Sequence, residues 1–263
     1  MTSDIATETL VRVACDALIG LFRHAPGFEA RLTRDTWLVA SGEPHPELNW
    51  IAVVAPGPAA EAALRDHVAA MRARGLPALV FLTPNAAEAC ASALASLGLI
   101  ASKPAPMMVC RLDHLPRPRP ADGLEIVPIR DAAMLRAGVD VYADSFGIPP
   151  ASAERVMGED VLREPALTPY AATREDAVLA VAATSRSGNV LYLDLMATAP
   201  AHRRQGIGSA LLGHVLAEHA ATGATHAFML ASDEGRALYE RLGFRVLFEA
   251  AIWVVPATVA HTP

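Results

Sequence analysis

The passage from residue 189 to 222 constrains the fold most, because a side-chain period of two gives way there to a period near 3.6 across a glycine-bearing turn. In "NVLYLDLMATA" (189–199) alternation predicts a strand, with Leu191, Leu193, Leu195 and Ala197 on one face and Tyr192, Asp194, Met196 and Thr198 on the other. From about Ile207 to Thr222, Leu211, Leu212, Val215 and Leu216 form a helical stripe, and Gly223 is placed to stop the helix. Between the two lies "PAHRRQGIG" (200–208). A helix that opens directly after a strand leaves its first N–H groups unpaired at the positive end of its dipole, and together these make an anion site. Gly206 and Gly208 lack a Cβ, so a ligand can approach the backbone; Arg203 and Arg204 add positive charge, and Ser209 adds a hydroxyl. The turn is predicted to hold a phosphate or pyrophosphate.

Two nucleotide motifs fail here. A P-loop needs a lysine after its second glycine, and this turn has none. A dinucleotide fingerprint needs a third glycine, but the run from Gly206 reads Gly-Ile-Gly-Ser-Ala-Leu, with no acidic residue at a suitable strand end about twenty positions on.

The rest of the chain alternates strands and helices. "LEIVPIR" (124–130) reads as a strand and "DAAMLRAGVDVYADSF" as a helix capped by Asp131. "PPASAERVMGEDVL" reads as a second helix with a proline start, and "YAATRED" and "AVLAVAATSRSG" as two strands joined by a polar turn. After residue 223, "HAFML" is a strand, "DEGRALYERL" a short helix ended by Gly243, and "FRVLFEAAIWVV" a hairpin or one long strand. The first half echoes this order: strand "LNWIAVVA", helix 58–75 stopped by Gly75, strand "PALVFL", helix "AAEACASALASLG" stopped by Gly98, strand "MMVCRL". This reads as a degenerate internal duplication. In "DHLPRPRPADG" (113–123) prolines alternate with charged residues and can continue neither a helix nor a central strand. The expected division is therefore a domain over 1–115, a linker over 116–122 and a second domain over 123–263.

The net charge of −6 argues against nucleic acid as the main partner, since phosphate contacts need a basic surface. No stretch approaches the ~18 uninterrupted apolar residues of a membrane helix, and the first thirty residues do not read as a signal peptide. Cys15, Cys90 and Cys110 lack the paired spacing of a metal site and read as buried thiols in a reducing cytoplasm. A cytoplasmic protein without a metal, a monomer or homodimer, is expected.

Arg203-x-x-Gly206-x-Gly208, preceded by Pro200, resembles the acetyl-CoA pyrophosphate loop of the GCN5-related N-acetyltransferase family. "ASDEGRALYERLGF" (231–244) is similar to that family's last block, a short helix carrying a tyrosine followed by Gly-Phe. The resemblance covers roughly residues 124–255. It implies an α/β (α+β) fold of two acetyltransferase-like domains, each with a mixed, mostly antiparallel central sheet flanked by helices, the N-terminal copy having lost its chemistry. Where the second copy has its arginine-glycine turn the first has "PGPA", and Leu94 stands where the second has Tyr239.

Carried onto this sequence, the resemblance implies that acetyl-CoA is the acyl donor and that an amine, of a small molecule or a peptide, is the acceptor. The pantetheine arm would lie along Met196, Ala197 and Thr198, and the diphosphate on Arg203, Arg204, Gln205, Gly206, Ile207, Gly208 and Ser209. Ser232 stands where many relatives have an asparagine that touches the arm. Tyr239 is the expected proton donor to the departing thiolate: a phenol with a pKa of about 10 stays protonated near neutrality. Asp194 is the expected general base, with Glu175 and Glu240 as weaker candidates, while His202 and His214 are expected at the surface. The acceptor region would be "DVYADSFGIPPASAERVMGED", where Asp140, Asp144, Glu154, Glu159 and Asp160 lie among Tyr142 and Phe146, a composition suited to a cationic amine. Trp37, His45 and Trp50 mark a region of the first half that could complete such a pocket. The alternative reading is a non-catalytic acyl-CoA-binding sensor or interaction protein.

Overall fold

A computed structural model describes residues 7–24, 28–116 and 123–257. The chain begins with α1 (Thr7–His24), β1 (Glu29–Leu32), β2 (Thr36–Ala40), β3 (Asn49–Val53), α2 (Pro58–Ala73) and β4 (Ala78–Leu82). It continues with α3 (Pro84–Ala89), α4 (Ala91–Ser96), β5 (Ile100–Ala101), β6 (Ala105–Arg111), β7 (Glu125–Pro128), α5 (Ala132–Phe146) and α6 (Pro150–Val156). The last elements are β8 (Leu167–Arg174), β9 (Ala177–Ser187), β10 (Val190–Thr198), α7 (Ile207–Ala221), β11 (His226–Leu230), α8 (Asp233–Arg241) and β12 (Arg245–Val255).

These elements form two compact units. The first holds α1 together with residues from Met108 to Leu247, and the second holds the described residues from 28 to Met107 together with those from Phe248 onward. In the first unit β7, β8, β9 and β10 pair antiparallel in turn, and β11 joins β10 in parallel. Beyond β11 lies β6. Leu191, Leu193, Ala180 and Ala182 of this sheet pack with Ile207, Leu211, Leu212, Val215 and Leu216 of α7. The stripe predicted for α7 is thus the face that it buries. In the second unit β1–β2 and β2–β3 are antiparallel, β3–β4 is parallel, and β4 pairs antiparallel with β12. Leu64, Val68 and Met71 of α2 pack on Leu38, Ile51 and Val80 of that sheet. Both sheets are mixed and mostly antiparallel, with flanking helices.

The division differs from the one expected at the proline-rich seam. Residues 108–116 and 123–247, on either side of the seam, belong to the same unit, and 117–122 lie outside the described residues. The two strand–helix–strand–helix–strand runs hold their order, but the last strand of each passes to the other unit part-way, from Met108 in β6 and from Phe248 in β12. Met108, Cys110 and Leu112 join the core of the unit that contains β10 and β11, while Val255 joins the core of β3 and β4. The N-terminal helix α1 packs on β9, β10 and β11. Burial of apolar side chains decides these placements, and the distance along the chain does not enter.

Local corrections follow the same rule. The helix expected over 86–98 is two short helices meeting at Cys90 (φ −97°, ψ 10°). Residues 245–255 form one long strand. Asp131 caps α5 as expected, its Oδ1 accepting the Met134 N–H at 2.9 Å. All three cysteines are buried. Among the described residues no helix is long and apolar enough to cross a membrane.

Candidate functional site

The parallel ladder between β10 and β11 is short. Val190, Leu191 and Tyr192 face His226, Ala227 and Phe228, and no later pair follows, although β10 runs on to Thr198. The two strands therefore part after Tyr192. On its other edge β10 stays paired with β9, but the register slips: Asp194 faces Ala183 and Ala197 faces Val181, three steps against two. This is a β-bulge, and Leu195 within it has φ +53°.

The bulge corrects the alternation expected from sequence. Ala183 and Val181 share one face of β9, so their partners Asp194 and Ala197 share a face as well. Met196 packs with Leu191 and Leu193 against α7, away from Asp194. An inserted residue reverses the side-chain phase, and period-two counting cannot register it.

Past Thr198 the chain turns through Pro200–His202 into the glycine-bearing segment. Arg204 (φ +61°) and Gly206 (φ +80°) are both left-handed, and Gly206 is the N-cap of α7. The first intrahelical bond runs from Ala210 N–H to the Gly206 carbonyl, which leaves the N–H groups of Ile207, Gly208 and Ser209 in the unpaired first turn. A Cβ built on Gly206 meets nothing within 4 Å, so its outer side is open, whereas one on Gly208 would stand 3.2 Å from Thr198 Oγ1. Arg203, Arg204 and Gln205 are exposed. Arg203 Nε donates to the Thr198 carbonyl at 3.1 Å, which anchors the turn to the end of β10, and Gln205 Nε2 donates to the Ala201 carbonyl. Ser145 of α5 donates to the same Thr198 carbonyl at 3.4 Å, a contact that sequence reading missed because it joins positions 53 residues apart.

Tyr239 lies on α8, 7% exposed, with its ring edge-on to Phe244 at 6.1 Å between centroids. Burial, reinforced by the Asp194 charge, pushes its phenol up to about 12. Asp194 is half-buried as a residue, and its Oδ1 accepts the Leu195 N–H at 2.7 Å. Withdrawal from water raises its carboxyl to about 6 despite that hydrogen bond. Ser232 is the N-cap of α8, its Oγ accepting the Gly235 N–H at 3.2 Å. Its hydroxyl thus closes a helix end.

The remaining candidates separate. Asp140 and Asp144, one turn apart on α5, line a cleft of about 510 Å³ with Ala143, Gly147, Ile148 and the prolines that open α6. Phe146 is 41% exposed and tilts against Tyr142 at 4.7 Å. Glu159 pairs with Arg136 and Asp160 with Arg163, and Glu154 is exposed. Glu175 sits at the β8–β9 turn with φ +50°, and Glu240 pairs with Arg236 at 3.0 Å. His202 is half-buried, while His214 is exposed beside Glu218. In the second unit Trp37 is core, Trp50 donates to the Glu47 carbonyl, and burial lowers the pKa of His45. There α2 opens on Pro58, which has no N–H, and Leu94 is buried in the core. Among the described residues no group of three or more His, Cys, Asp or Glu side chains is placed to hold a metal ion.

Residues 166–246 match the family model described as an acetyltransferase (GNAT) domain. A GCN5-related N-acetyltransferase from Kribbella flavida is similar over 99% of this chain and 98% of its own, with 21% identity and a TM-score of 0.70. One from Sphaerobacter thermophilus covers 87% of this chain and 83% of its own at 14% identity and a TM-score of 0.63. A tandem GNAT protein from the clavulanic acid biosynthesis pathway covers 92% and 88% at 14% identity and a TM-score of 0.58, and the two-unit organisation of this chain is consistent with it. No curated protein matches the chain.

Proposed function

Starting from the GNAT-type acetyltransferase domain carried by residues 166–246, we propose that the chain transfers an acetyl group from acetyl-CoA directly to a primary amine. The observation that carries this reading is the gap between β10 and β11, which leads straight to the left-handed turn at Arg204 and Gly206. An extended pantetheine arm fits such a gap because unpaired strand edges offer it backbone hydrogen bonds. The open side of Gly206 and the first-turn N–H groups of α7 suit the diphosphate, with the exposed Arg204 beside it. Arg203 keeps its Nη groups for the same anion while its Nε holds Thr198.

In direct transfer the amine nitrogen bonds to the thioester carbonyl carbon, the C–S bond breaks, and the thiolate takes a proton. Asp194 is the proposed base: a carboxyl with a pKa near 6 is ionised at pH 7 yet close enough to neutrality to accept the amine's proton. The Leu195 N–H is committed to Asp194, so the Met196 N–H is the proposed donor to the oxyanion. Tyr239 stays protonated at neutral pH and supplies the thiolate's proton. The cleft lined by Asp140 and Asp144 supports a cationic acceptor. The second unit, with Pro58 and Leu94 at the corresponding positions, is proposed to be non-catalytic.

The test is acetyl-CoA binding by calorimetry together with thiol release against polyamines, aminoglycosides, amino acids and peptide N-termini, with Tyr239→Phe run beside the unsubstituted protein. Turnover on one acceptor class, reduced by at least about tenfold in Tyr239→Phe with binding intact, supports transfer. Tight binding without turnover on any acceptor points to the sensor reading, and no binding rejects both.

A further inference from the structure

Tyr192 stands where β10 and β11 part. It is the last β10 residue in the parallel ladder, opposite Phe228, and is only 2% exposed. Its hydroxyl accepts the N–H of Leu230, the last residue of β11, at 3.3 Å. Had the ladder continued in register, Leu230 would face Asp194. Both strands answer the missing rung with a side chain. The Leu230 N–H goes to the Tyr192 hydroxyl, and the Leu195 N–H goes to the Asp194 carboxylate within the bulge. Unpaired strand edges attract one another, and a half-buried N–H without a partner costs about 1–3 kcal/mol. A gap between adjacent strands therefore persists only if something else takes those groups.

We propose that Tyr192 is a positioning residue that holds the β10–β11 gap open by withdrawing the Leu230 N–H from β10. This rests on the proposed function, in which the gap receives the acyl-CoA arm. The phenol reaches across the point of divergence, so one oxygen satisfies β11 while the aromatic body stays in the core. Asp194 does the corresponding task on the other strand by bending β10 away. Neither bond belongs to the sheet ladder.

The experiment uses Tyr192→Phe, which removes one oxygen and keeps the ring, with Tyr170→Phe as control. Tyr170 is also fully buried, and its hydroxyl bonds Glu218 and His219 on α7, away from the gap. Amide exchange at Leu230 is measured without ligand, and acetyl-CoA affinity, KM and kcat are measured on the full chain. In the unsubstituted protein Leu230 is expected to be protected although it lies past the ladder, and Tyr192→Phe is expected to change that protection by at least about tenfold. Acetyl-CoA affinity is expected to fall about tenfold with its KM rising alike, while kcat at saturation stays within about twofold. An equal loss of affinity in Tyr170→Phe, or unchanged affinity in Tyr192→Phe, overturns the proposal. An unprotected Leu230 in the unsubstituted protein also overturns it, and needs no variant to fold. If the unsubstituted protein binds no acetyl-CoA, the proposed function fails, while Leu230 exchange still decides whether Tyr192 holds the strand.

Discussion

Gly235 and Tyr239 meet in a space that only glycine leaves: a Cβ on Gly235 would stand 2.6 Å from Tyr239 Cε2 and 2.9 Å from both Cζ and the hydroxyl oxygen. The two are one turn apart on α8, so the ring lies back along its own helix over the bare glycine. Helix propensity alone favours alanine at such a position by up to about 1 kcal/mol. Steric overlap reverses that preference. Gly235→Ala is expected to lower stability by about 1–3 kcal/mol or to expel the ring. Under either outcome turnover falls at least about tenfold with acetyl-CoA binding retained, as read from melting curves and steady-state kinetics.

Asp194 links stability to pH in an unusual direction for a carboxylate. Its folded pKa of about 6 lies above the ordinary aspartate value of 3.8, so the folded state holds the proton more tightly. The stability this contributes is fully present below pH 3.8 and is lost as pH rises through about 6. Asp194→Asn keeps an oxygen for the Leu195 N–H and carries no charge. Its melting temperature is expected to exceed that of the unsubstituted protein at pH 7.5 and to converge with it toward pH 4. As the proposed base, Asp194 also predicts that kcat/KM declines as pH falls through about 6, a limb absent from the slower Asn variant.

Arg204 trades strain for charge. Its φ of +61° costs a non-glycine residue about 1 kcal/mol. Arg204→Gly is therefore expected to raise stability by roughly that amount while weakening acetyl-CoA binding by about tenfold. Thermal melting and calorimetry on the same sample separate the two effects. A variant less stable than the parent would show that the turn is not strained there.

The second unit offers a stability test away from the site. Asn49 is fully buried, and its Nδ2 donates to the carbonyls of Glu43, His45 and Pro77 while its Oδ1 accepts the Ser41 N–H. One side chain thereby ties the loop before β3 to the residue before β4. Asn49→Ala leaves several buried groups without that partner and is expected to cost about 3 kcal/mol or more, measured by denaturant unfolding. A loss under about 1 kcal/mol would mean that water replaces the amide at this position.

Much of the local structure around the candidate site was legible in the residues because its signals are local. A strand of period two, a turn with Gly206 and Gly208, a stripe of period 3.6 and a tyrosine four residues before Gly243 each depend on neighbours a few positions away. The Asp131 cap and the stop at Gly223 (φ +92°) belong to the same class. The parts that escaped depend on partners far along the chain. The bulge at Leu195 exists only relative to β9, and most of the last strand of each run goes to the other unit because apolar side chains such as Met108 and Val255 are buried there. Ser145 finds Thr198, and Tyr192 finds Leu230, only after the sheet has formed. Dihedral preference and side-chain periodicity act over one or two turns, whereas burial and hydrogen-bond satisfaction are settled among surfaces brought together by the whole chain.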